Sequence, residues 1–575
     1  LAEIKQRVLN TPLESFQGEA PDWLKRVLLV RGVDDLQQLN TDLSQLHSPQ
    51  LMLQMNKAVA LLESAIRNNQ KILIMGDYDA DGATSCALAV RALRAMGASS
   101  VDFLVPDRFK FGYGLSPEIV EVASQQSPDL LVTVDNGISS IEGVERAKAL
   151  NIGVLITDHH LPGSQLPAAD AIVNPNQVGC DFPSKNLAGV GVLFSLLLAL
   201  RASLREGGWF NEQGISEPNM GRWLDIVALG TVADLVALDG NNRLLVSAGV
   251  KRIRSGKGCP GIRALFEVAG KQFYLARSMD LGFVVGPRIN AAGRLQDISL
   301  GVQCLLTDDE DEARRLAMQL HEINQDRRAI EQQMRQEAEA AIDSLDLDEK
   351  DIPWGLCLYQ KDWHAGVVGL IASRIKDKWH RPTLVFAAEG KDRLKGSGRS
   401  IKGFHLRDAL EAIATKNPDL IEQYGGHAMA AGLSIKSDRY REISQAFDQE
   451  VKIRLGEDEL IETLLTDGEL PAEALNLETA KLLEQIAPWG QAFAEPIFEG
   501  EFVLESSRIL GETHLKMRLQ LKGTGTASDA IWFGTPTEYL NLRAGDSGRF
   551  LYQLQVNRYR GMETAQLMVK AYTSS

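Results

Sequence analysis

Three carboxylates stand at alternate positions in GDYDADG: Asp77, Asp79 and Asp81. Three acids within five residues repel one another and cost folding energy unless a cation neutralises them. Taken alone, the stretch also reads as an acidic surface loop. Two further stretches argue against that. DLLVTVD ends in Asp135, and GVLITDHH ends in Asp158, His159 and His160. Oxygen and nitrogen donors delivered from three separate segments are what a divalent metal site requires.

The elements that must carry these residues follow from the apolar pattern. Ile72 to Met75, with Lys71 ahead, reads as a short buried strand. All three stretches have the same form, an apolar strand whose C-terminal end delivers acids or imidazoles. In an open parallel α/β sheet the ligand site lies just beyond the carboxyl ends of the strands. Strand and helix alternate through 71–76, 83–96, 101–105, 117–126, 130–134, 140–150, 153–157 and 171–173, which predicts a doubly wound parallel sheet.

Other polar residues sit among small ones. PDRFKFGYG, 106–114, is either a polar turn or a loop whose Arg108 holds phosphate. Residues 187–238 read as helical, split near 206–221, and WLDIVALGTVADLVAL is apolar apart from Asp225 and Asp234. A buried carboxylate needs a partner. Asp234, flanked by small residues, suits a metal, whereas Asp225 reads as a surface or N-terminal helix acid. GPRINAAGRL, 286–295, sets Arg288, Asn290 and Arg294 among small residues, and two arginines suit phosphate oxygens.

From Asp308 to Ser344 there is neither Pro nor Gly, and charges alternate with Leu316, Leu320, Ile323, Ile330 and Met334. This predicts one long helix, a solvated strut. Residues 352–455 read as a second α/β unit. Within it KGSGRS, 395–400, and YGGHAMAAGL, 424–433, read as glycine-rich turns bearing Ser397, Arg399 and His427. Six Lys/Arg against Asp392 between Lys391 and Arg407 form the clearest basic patch. Residues 1–70 read as a helical packing extension without chemistry. Residues 496–572 carry five alternating strands, which suggests a small OB-type barrel. Trp532, Phe533, Tyr552 and Tyr559 are its stacking candidates, some of them core.

Composition bounds the rest. A chain of 575 residues holds about three or four domains. A net charge of −15 excludes a general basic grip on nucleic acid, so any such site is a local groove. Five scattered cysteines without CxxC fit a reducing compartment and argue against a zinc ribbon or a disulfide framework. The longest apolar run, near Val190–Leu200, is too short to span a bilayer, so no membrane is expected. No signal segment opens the chain. It starts at Leu1 rather than Met, which suggests a missing or processed start.

DYDADG, VDNG, TDHH, TVADLVAL, RINAAGR, the long helix, KGSGRS and GGHAMAAG occur in the order shown by the DHH phosphoesterase superfamily, which the chain resembles. Within it, the whole chain is similar to the bacterial 5′→3′ exonucleases specific for single-stranded DNA. Pyrophosphatase and cyclic-dinucleotide relatives carry a His four residues before the first Asp of their DxD pair. Counted from Asp79 that position is Met75, and Asp77 fills in, as in the exonucleases.

The resemblance implies an α/β fold. A parallel-sheet DHH domain (71–306) is joined by a long helix (307–348) to a second α/β DHH-associated domain (349–456). The N-terminal extension (1–70) and an OB-containing region (457–575) complete the chain. It implies metal ligands Asp77, Asp79, Asp81, Asp135, His159 and Asp234 for two Mn2+ or Mg2+ ions. His160 is a ligand or a donor to the scissile phosphate, and Asp158 orients a histidine. A hydroxide held between cations about 4 Å apart would attack phosphorus in line.

A 5′-phosphate is expected among Arg108, Arg288, Ser397 and Arg399, with Asn290, Arg294 and His427 also on the substrate. The expected activity is hydrolysis of single strands from the 5′ end to mononucleotides, in DNA recombination and repair. A single-strand-binding protein and a helicase are the expected partners of a cytoplasmic monomer. Two rivals share the motifs. A small-molecule or oligonucleotide phosphodiesterase has no reason to carry a barrel, and a non-catalytic replication scaffold would have lost ligands that this chain keeps.

Overall fold

The computed structural model describes residues 3–106, 114–343 and 352–574. Arg108 lies outside the described residues. Packing divides the chain into two units, one of Gln6–His321 with Leu465–Ser575 and one of Leu1–Lys5 with Glu322–Leu464.

The first unit holds five parallel strands: β1 (Ile72–Gly76), β2 (Val101–Leu104), β3 (Leu130–Val134), β4 (Gly153–Thr157) and β5 (Ala171–Val173). They run in the order β2-β1-β3-β4-β5. Ile72 to Met75 are wholly buried, as a strand covered on both faces must be, which is why the sequence shows a continuous apolar run. Leu73, Met75, Leu131 and Ile156 share one core cluster with Ile119 and Val144 from flanking helices. The strand order reverses between β1 and β3, the crevice where such sheets bind ligands.

Helix α1 (Ala80–Ala95) begins three residues before the expected start, because Asp79 caps it and accepts from the backbone N–H of Asp81 and Gly82. Helices α2 (Gly189–Glu206), α3 (Leu224–Ala233) and α4 (Gly286–Leu295) complete the surroundings of the sheet end. Asp225 is not a surface acid. It is buried in the first turn of α3 and accepts from Cys259 N–H at 2.5 Å.

Helix α5 (Glu310–Asp343) is long and continuous, as expected, but it is not simply solvated. It buries Leu316, Leu320, Ile323 and Met334 along one face. Within the second unit Arg327 and Arg374 both pair with Glu331, at 2.7 and 3.0 Å.

The second unit contains β6 (Leu356–Tyr359), α6 (Val368–Trp379), β7 (Thr383–Glu389), β8 (Arg393–Arg399), β9 (Gln423–Gly426) and β10 (Ala430–Lys436). The sheet order is β9-β10-β8-β7-β6, with only β6 and β7 parallel. The glycine-rich stretches are therefore strands rather than turns, and only the link around His427 turns. Their glycines answer to packing. A methyl group at Gly396 would lie 2.5 Å from the Phe386 ring and 2.7 Å from Leu433. The basic patch is also smaller than its sequence count, since Arg393 pairs with Glu422 and Lys395 with Glu389.

The C-terminal strands, β11 (Phe498–Leu510), β12 (His514–Leu521), β13 (Ala527–Trp532), β14 (Ser547–Tyr559) and β15 (Met562–Ser574), close into a barrel. Trp532 and Tyr552 are core, whereas Phe533 is 54% and Tyr559 60% exposed. The N-terminal extension is helical in Asp22–Leu29 and Met55–Arg67, with single turns between. It is keyed to the C-terminal segment. The Arg31 fork meets both Asp467 oxygens at 2.7 and 2.9 Å, with side chains 3% and 0% exposed. Trp23 packs edge-on against Phe498. Among the described residues no helix is long and apolar enough to cross a membrane.

Candidate functional site

Register decides what the sheet end delivers. Gly76 pairs with Val134, and Val134 with Thr157, so β1, β3 and β4 end level. The residues that follow, Asp77, Asp135 and Asp158, therefore emerge side by side on adjacent strands. Asp135 holds a left-handed backbone, φ +64°. Asp tolerates this region better than most residues, and such strain is characteristic of functional positions. Asn136 anchors the turn by donating to the carbonyls of Met75 and Val134, across β1 and β3. Sequence reasoning did not single it out, although an Asn after an acid at a strand end is a turn signal.

Asp77, Asp79 and Asp135 place one ligand atom each within 4.8 Å of one another. So do Asp135, His159 and His160, and so do Asp81, His159 and Asp234. Asp135 is common to the first two groups. Asp234 arrives from the C-terminal end of α3. All six expected ligands and His160 are thus brought together.

The charges do not balance within the protein. Burial first, and then repulsion from Asp81 and Asp79, lift Asp135 and Asp234 well above the ordinary carboxyl range. Asp81 rises to about 7 through burial and the charge of Asp79. His159 Nε2 lies 3.1 Å from Asp135 Oδ1 and 3.5 Å from Asp234 Oδ2. That spacing resembles an ion pair, but burial and the neighbouring His160 lower His159 to about 4, so its ring is neutral at pH 7. Its other nitrogen is engaged by the Leu187 backbone. Nε2 therefore turns a lone pair towards carboxylate oxygens, and both it and Asp234 Oδ2 are buried without a hydrogen bond. A cation resolves this arrangement, and the donor set of carboxylates and imidazole fits Mn2+ or Mg2+.

Asp158 orients His160, with Oδ1 and Nδ1 at 2.7 Å. Burial opposes the Asp158 charge, yet the His160 hydrogen bond and backbone N–H groups hold it below its usual value. Burial likewise lowers His160, but Asp158 and the other acids outweigh it and raise the ring.

On α4 the expected phosphate binders do structural work as well. Asn290 Oδ1 accepts from Ala80 N–H at 2.7 Å, fixing the start of α1. Arg288 is buried and donates to the Val284 carbonyl and to His321. Arg294 is partly buried on the same helix.

In the second unit, Arg399 donates to Ser397 Oγ and to the Gly398 carbonyl. Burial lowers its pKa, though a guanidinium stays charged at any working pH. A methyl group at Gly369, in the first turn of α6, would lie 2.9 Å from Ser397 Oγ and 3.0 Å from Arg399 Nη2. This corner combines a helix N-terminus, a hydroxyl and a guanidinium, which suits an anion. The contribution of α6 was missed from sequence, although WHAGVVG reads as the lead into a helix. His427 is exposed at the β9–β10 turn.

Comparisons with known proteins identify the family. Residues 71–231 match the DHH family, N-terminal domain, 354–453 the DHHA1 domain, and 466–571 the RecJ OB domain. The chain is 50% identical over 550 residues to the single-stranded-DNA-specific exonuclease RecJ of Dickeya dadantii, covering 96% of each chain. All of it superimposes on 80% of the crystal structure of RecJ in complex with Mn2+ from Thermus thermophilus, with TM-score 0.79 and 28% identity. The Mg2+ complex of the same protein gives TM-score 0.76 at 27% identity over 79% of that chain. With half its residues identical along nearly the full length of such a relative, and the acid cluster complete, the chain belongs to the RecJ family of single-stranded-DNA-specific exonucleases.

Proposed function

We propose that this protein hydrolyses single-stranded DNA from the 5′ end to mononucleotides, using two divalent cations, Mn2+ or Mg2+. The observation that carries this reading is Asp135, a strained carboxylate at a strand end that belongs to two ligand groups at once. A carboxylate so placed would be shared by two cations, one held with Asp77 and Asp79 and the other with His159, which groups in turn with Asp81 and Asp234.

Bound there, the cations supply an activated water and charge for the developing phosphorane. The protein's own residues do the rest. His159 is kept neutral, and so able to ligate, by burial and by the neighbouring His160, while the Leu187 backbone, which pulls the other way, orients its ring. His160, its Nδ1 held by Asp158 and its side chain 34% exposed, donates to a phosphoryl oxygen of the strand. In the second unit, Arg399, Ser397 and the start of α6 take the terminal phosphate. A phosphomonoester carries more charge than an internal diester, so this corner selects an end. Phe533 and Tyr559, exposed on the barrel, stack on bases further along.

Single strands in a cell arise from unwound duplex and are held open by coating proteins. A helicase and a single-strand-binding protein are therefore the natural suppliers of substrate. We place the enzyme in the cytoplasm, since five free cysteines suit a reducing compartment, and take it to act as a monomer.

The test is cleavage of matched single-stranded and duplex DNA in Mn2+ and in EDTA. Single strands should be degraded only with Mn2+, and duplex hardly at all. Equal cleavage of duplex would reject the substrate assignment.

A further inference from the structure

Away from the metal cluster, a cavity of about 250 Å3 opens within the first unit, between the helical core and the segment that leads into the barrel. Lys251, Arg254 and Arg277 line it from the core, and Glu484, Trp489 and Glu495 from the C-terminal segment. Lys251 and Arg254 lie in the last turn of the helix Gly240–Arg254. Gly249 of that helix abuts Leu224, and Arg252 reaches Asp225 at 3.6 Å, so the helix ends beside the first turn of α3. Asp234 follows the other end of α3, roughly 14 Å along the helix axis.

The cations of this cavity are not balanced. Arg254 Nε donates to the Ala276 carbonyl at 2.6 Å, which brings its guanidinium beside the next residue, Arg277. No ion pair engages Arg254 or Lys251 among the described residues. Arg277 reaches Asp280 at 3.7 Å, and Glu484 is taken by the Arg558 fork at 3.1 and 2.9 Å. Burial lowers Arg254, and Arg558 and Arg277 add to that against the pull of Glu484, yet a guanidinium stays charged. A helix dipole favours cations in a last turn, and Arg252 with Asp225 meets that need. It does not account for Arg277, which comes from another segment to line the same cavity. Glu495 has the opposite need. Gln555 donates to its Oε1 at 3.4 Å, but Oε2 is buried without a hydrogen bond, and burial lifts the carboxyl against the pull of Arg277 and Lys570.

We propose that this cavity binds a small phosphomonoester, with Arg254, Arg277 and Lys251 on the phosphate and Glu495 accepting from its organic part. Planar guanidinium forks suit phosphate oxygens, and a dianion answers two of them better than a diester does. The volume is close to the lower end of small-molecule sites, about 300 Å3, which suits a phosphate on a small body. Mononucleotides, the expected products of this enzyme, belong to the class, and so do sugar phosphates. Both walls of the cavity hold the ligand, so binding ties the helical core to the barrel-bearing segment and stabilises the folded chain. The proposal is independent of the two-cation reading and is tested without metal.

The test uses the full chain carrying Arg399→Ala, in EDTA, to weaken phosphate binding at the Ser397 corner and at the metal centre. Deoxycytidine 5′-monophosphate, 2-deoxyribose 5-phosphate and inorganic phosphate are titrated by calorimetry, with Tm read alongside. The same titrations are run with Arg254→Gln or Lys251→Ala added. Lys251 is exposed, so Lys251→Ala carries the test if Arg254→Gln fails to fold. Initial cleavage rates with Mn2+ are measured for Lys251→Ala in the otherwise wild-type chain.

At least one ester should bind at a single site per chain and raise Tm, and the tighter of the two shows whether the source is a nucleotide or a sugar phosphate. Arg254→Gln should weaken that binding about tenfold or more, as for a lost charged hydrogen bond. Lys251→Ala should weaken it about two- to fivefold, as for an exposed ion pair. Its initial cleavage rate should match wild type, so failure of this site and failure of the exonuclease reading are told apart. The proposal is overturned if neither ester binds saturably, if both variants leave the binding unchanged, or if inorganic phosphate binds as tightly as the esters. A slowed initial rate in Lys251→Ala would place the cavity on the path of the strand and overturn it as well.

Discussion

Replacing Arg399 with alanine should weaken the proposed preference for a phosphorylated 5′ end while leaving the metal centre intact. The guanidinium donates to Ser397 Oγ at 3.3 Å and to the Gly398 carbonyl at 2.8 Å, and no ion pair engages it among the described residues. Its charge is therefore available to an anion, and truncation strands no buried carboxylate. A charged hydrogen bond contributes about 1.5–3 kcal/mol. At about 1.36 kcal/mol per decade, that is a loss of roughly ten- to 150-fold. Ser397 and the first-turn N–H groups of α6 remain, so the loss is not complete. The assay is the ratio of cleavage rates on 5′-phosphorylated and 5′-hydroxyl single strands, wild type against variant. The ratio should fall by at least about tenfold, with Mn2+ affinity and Tm little changed. An unchanged ratio refutes the reasoning, and Arg399 then serves only the backbone track.

Four further outcomes are expected. Asp135→Asn, which tolerates the left-handed backbone, should cut cleavage more than about a hundredfold while single-strand binding survives; near-normal rates at saturating Mn2+ would contradict the shared-ligand role. Phe533→Ala with Tyr559→Ala should weaken binding of long strands by about 1–3 kcal/mol per lost stack and leave short strands unaffected, as read by fluorescence anisotropy. Asp467→Ala leaves Arg31 buried without its carboxylate and should destabilise the first unit by about 3–5 kcal/mol, visible in chemical denaturation. In EDTA, folded Asp81, Asp135 and Asp234 hold protons above their unfolded pKa, so their contribution to stability is fullest below about pH 4 and declines as pH rises, that of Asp81 being lost through about 7. Excess Mn2+ should flatten that decline in Tm, and an unchanged slope would mean that the acids are not neutralised by metal.

The catalytic sheet was legible because its strands are buried on both faces and end in chemistry. Apolar runs of four or five residues, each closed by acids or imidazoles, fixed both the strand class and the site. The glycine-rich stretches of the second unit were not legible. Glycine usually marks a turn, and only Phe386 and Leu433, packed over Gly396 from neighbouring strands, show that it lies within one. The hydrogen bonds of Asp81 were hidden for a related reason. In sequence the three acids look equivalent, but α1 begins at Ala80, which turns Asp81 towards α2, over a hundred residues away in the chain. The pairing of Arg31 with Asp467, 436 residues apart, is likewise a tertiary fact that no local pattern carries. Among the barrel aromatics, alternation puts Tyr552 and Tyr559, on one strand at an odd spacing, on opposite faces, but which face turns inwards depends on how the barrel closes.

The central claim is that the Asp135-centred cations hydrolyse single strands from one end. Its most direct test is a time course on one single-stranded oligonucleotide carrying a 5′-phosphate, labelled in turn at the 5′-terminal and the 3′-terminal nucleotide, with Mn2+. The 5′ label should appear at once as mononucleotide, while the 3′ label passes through a ladder of shortening strands. Immediate release of the 3′ label, or internal fragments before any mononucleotide, would contradict the account.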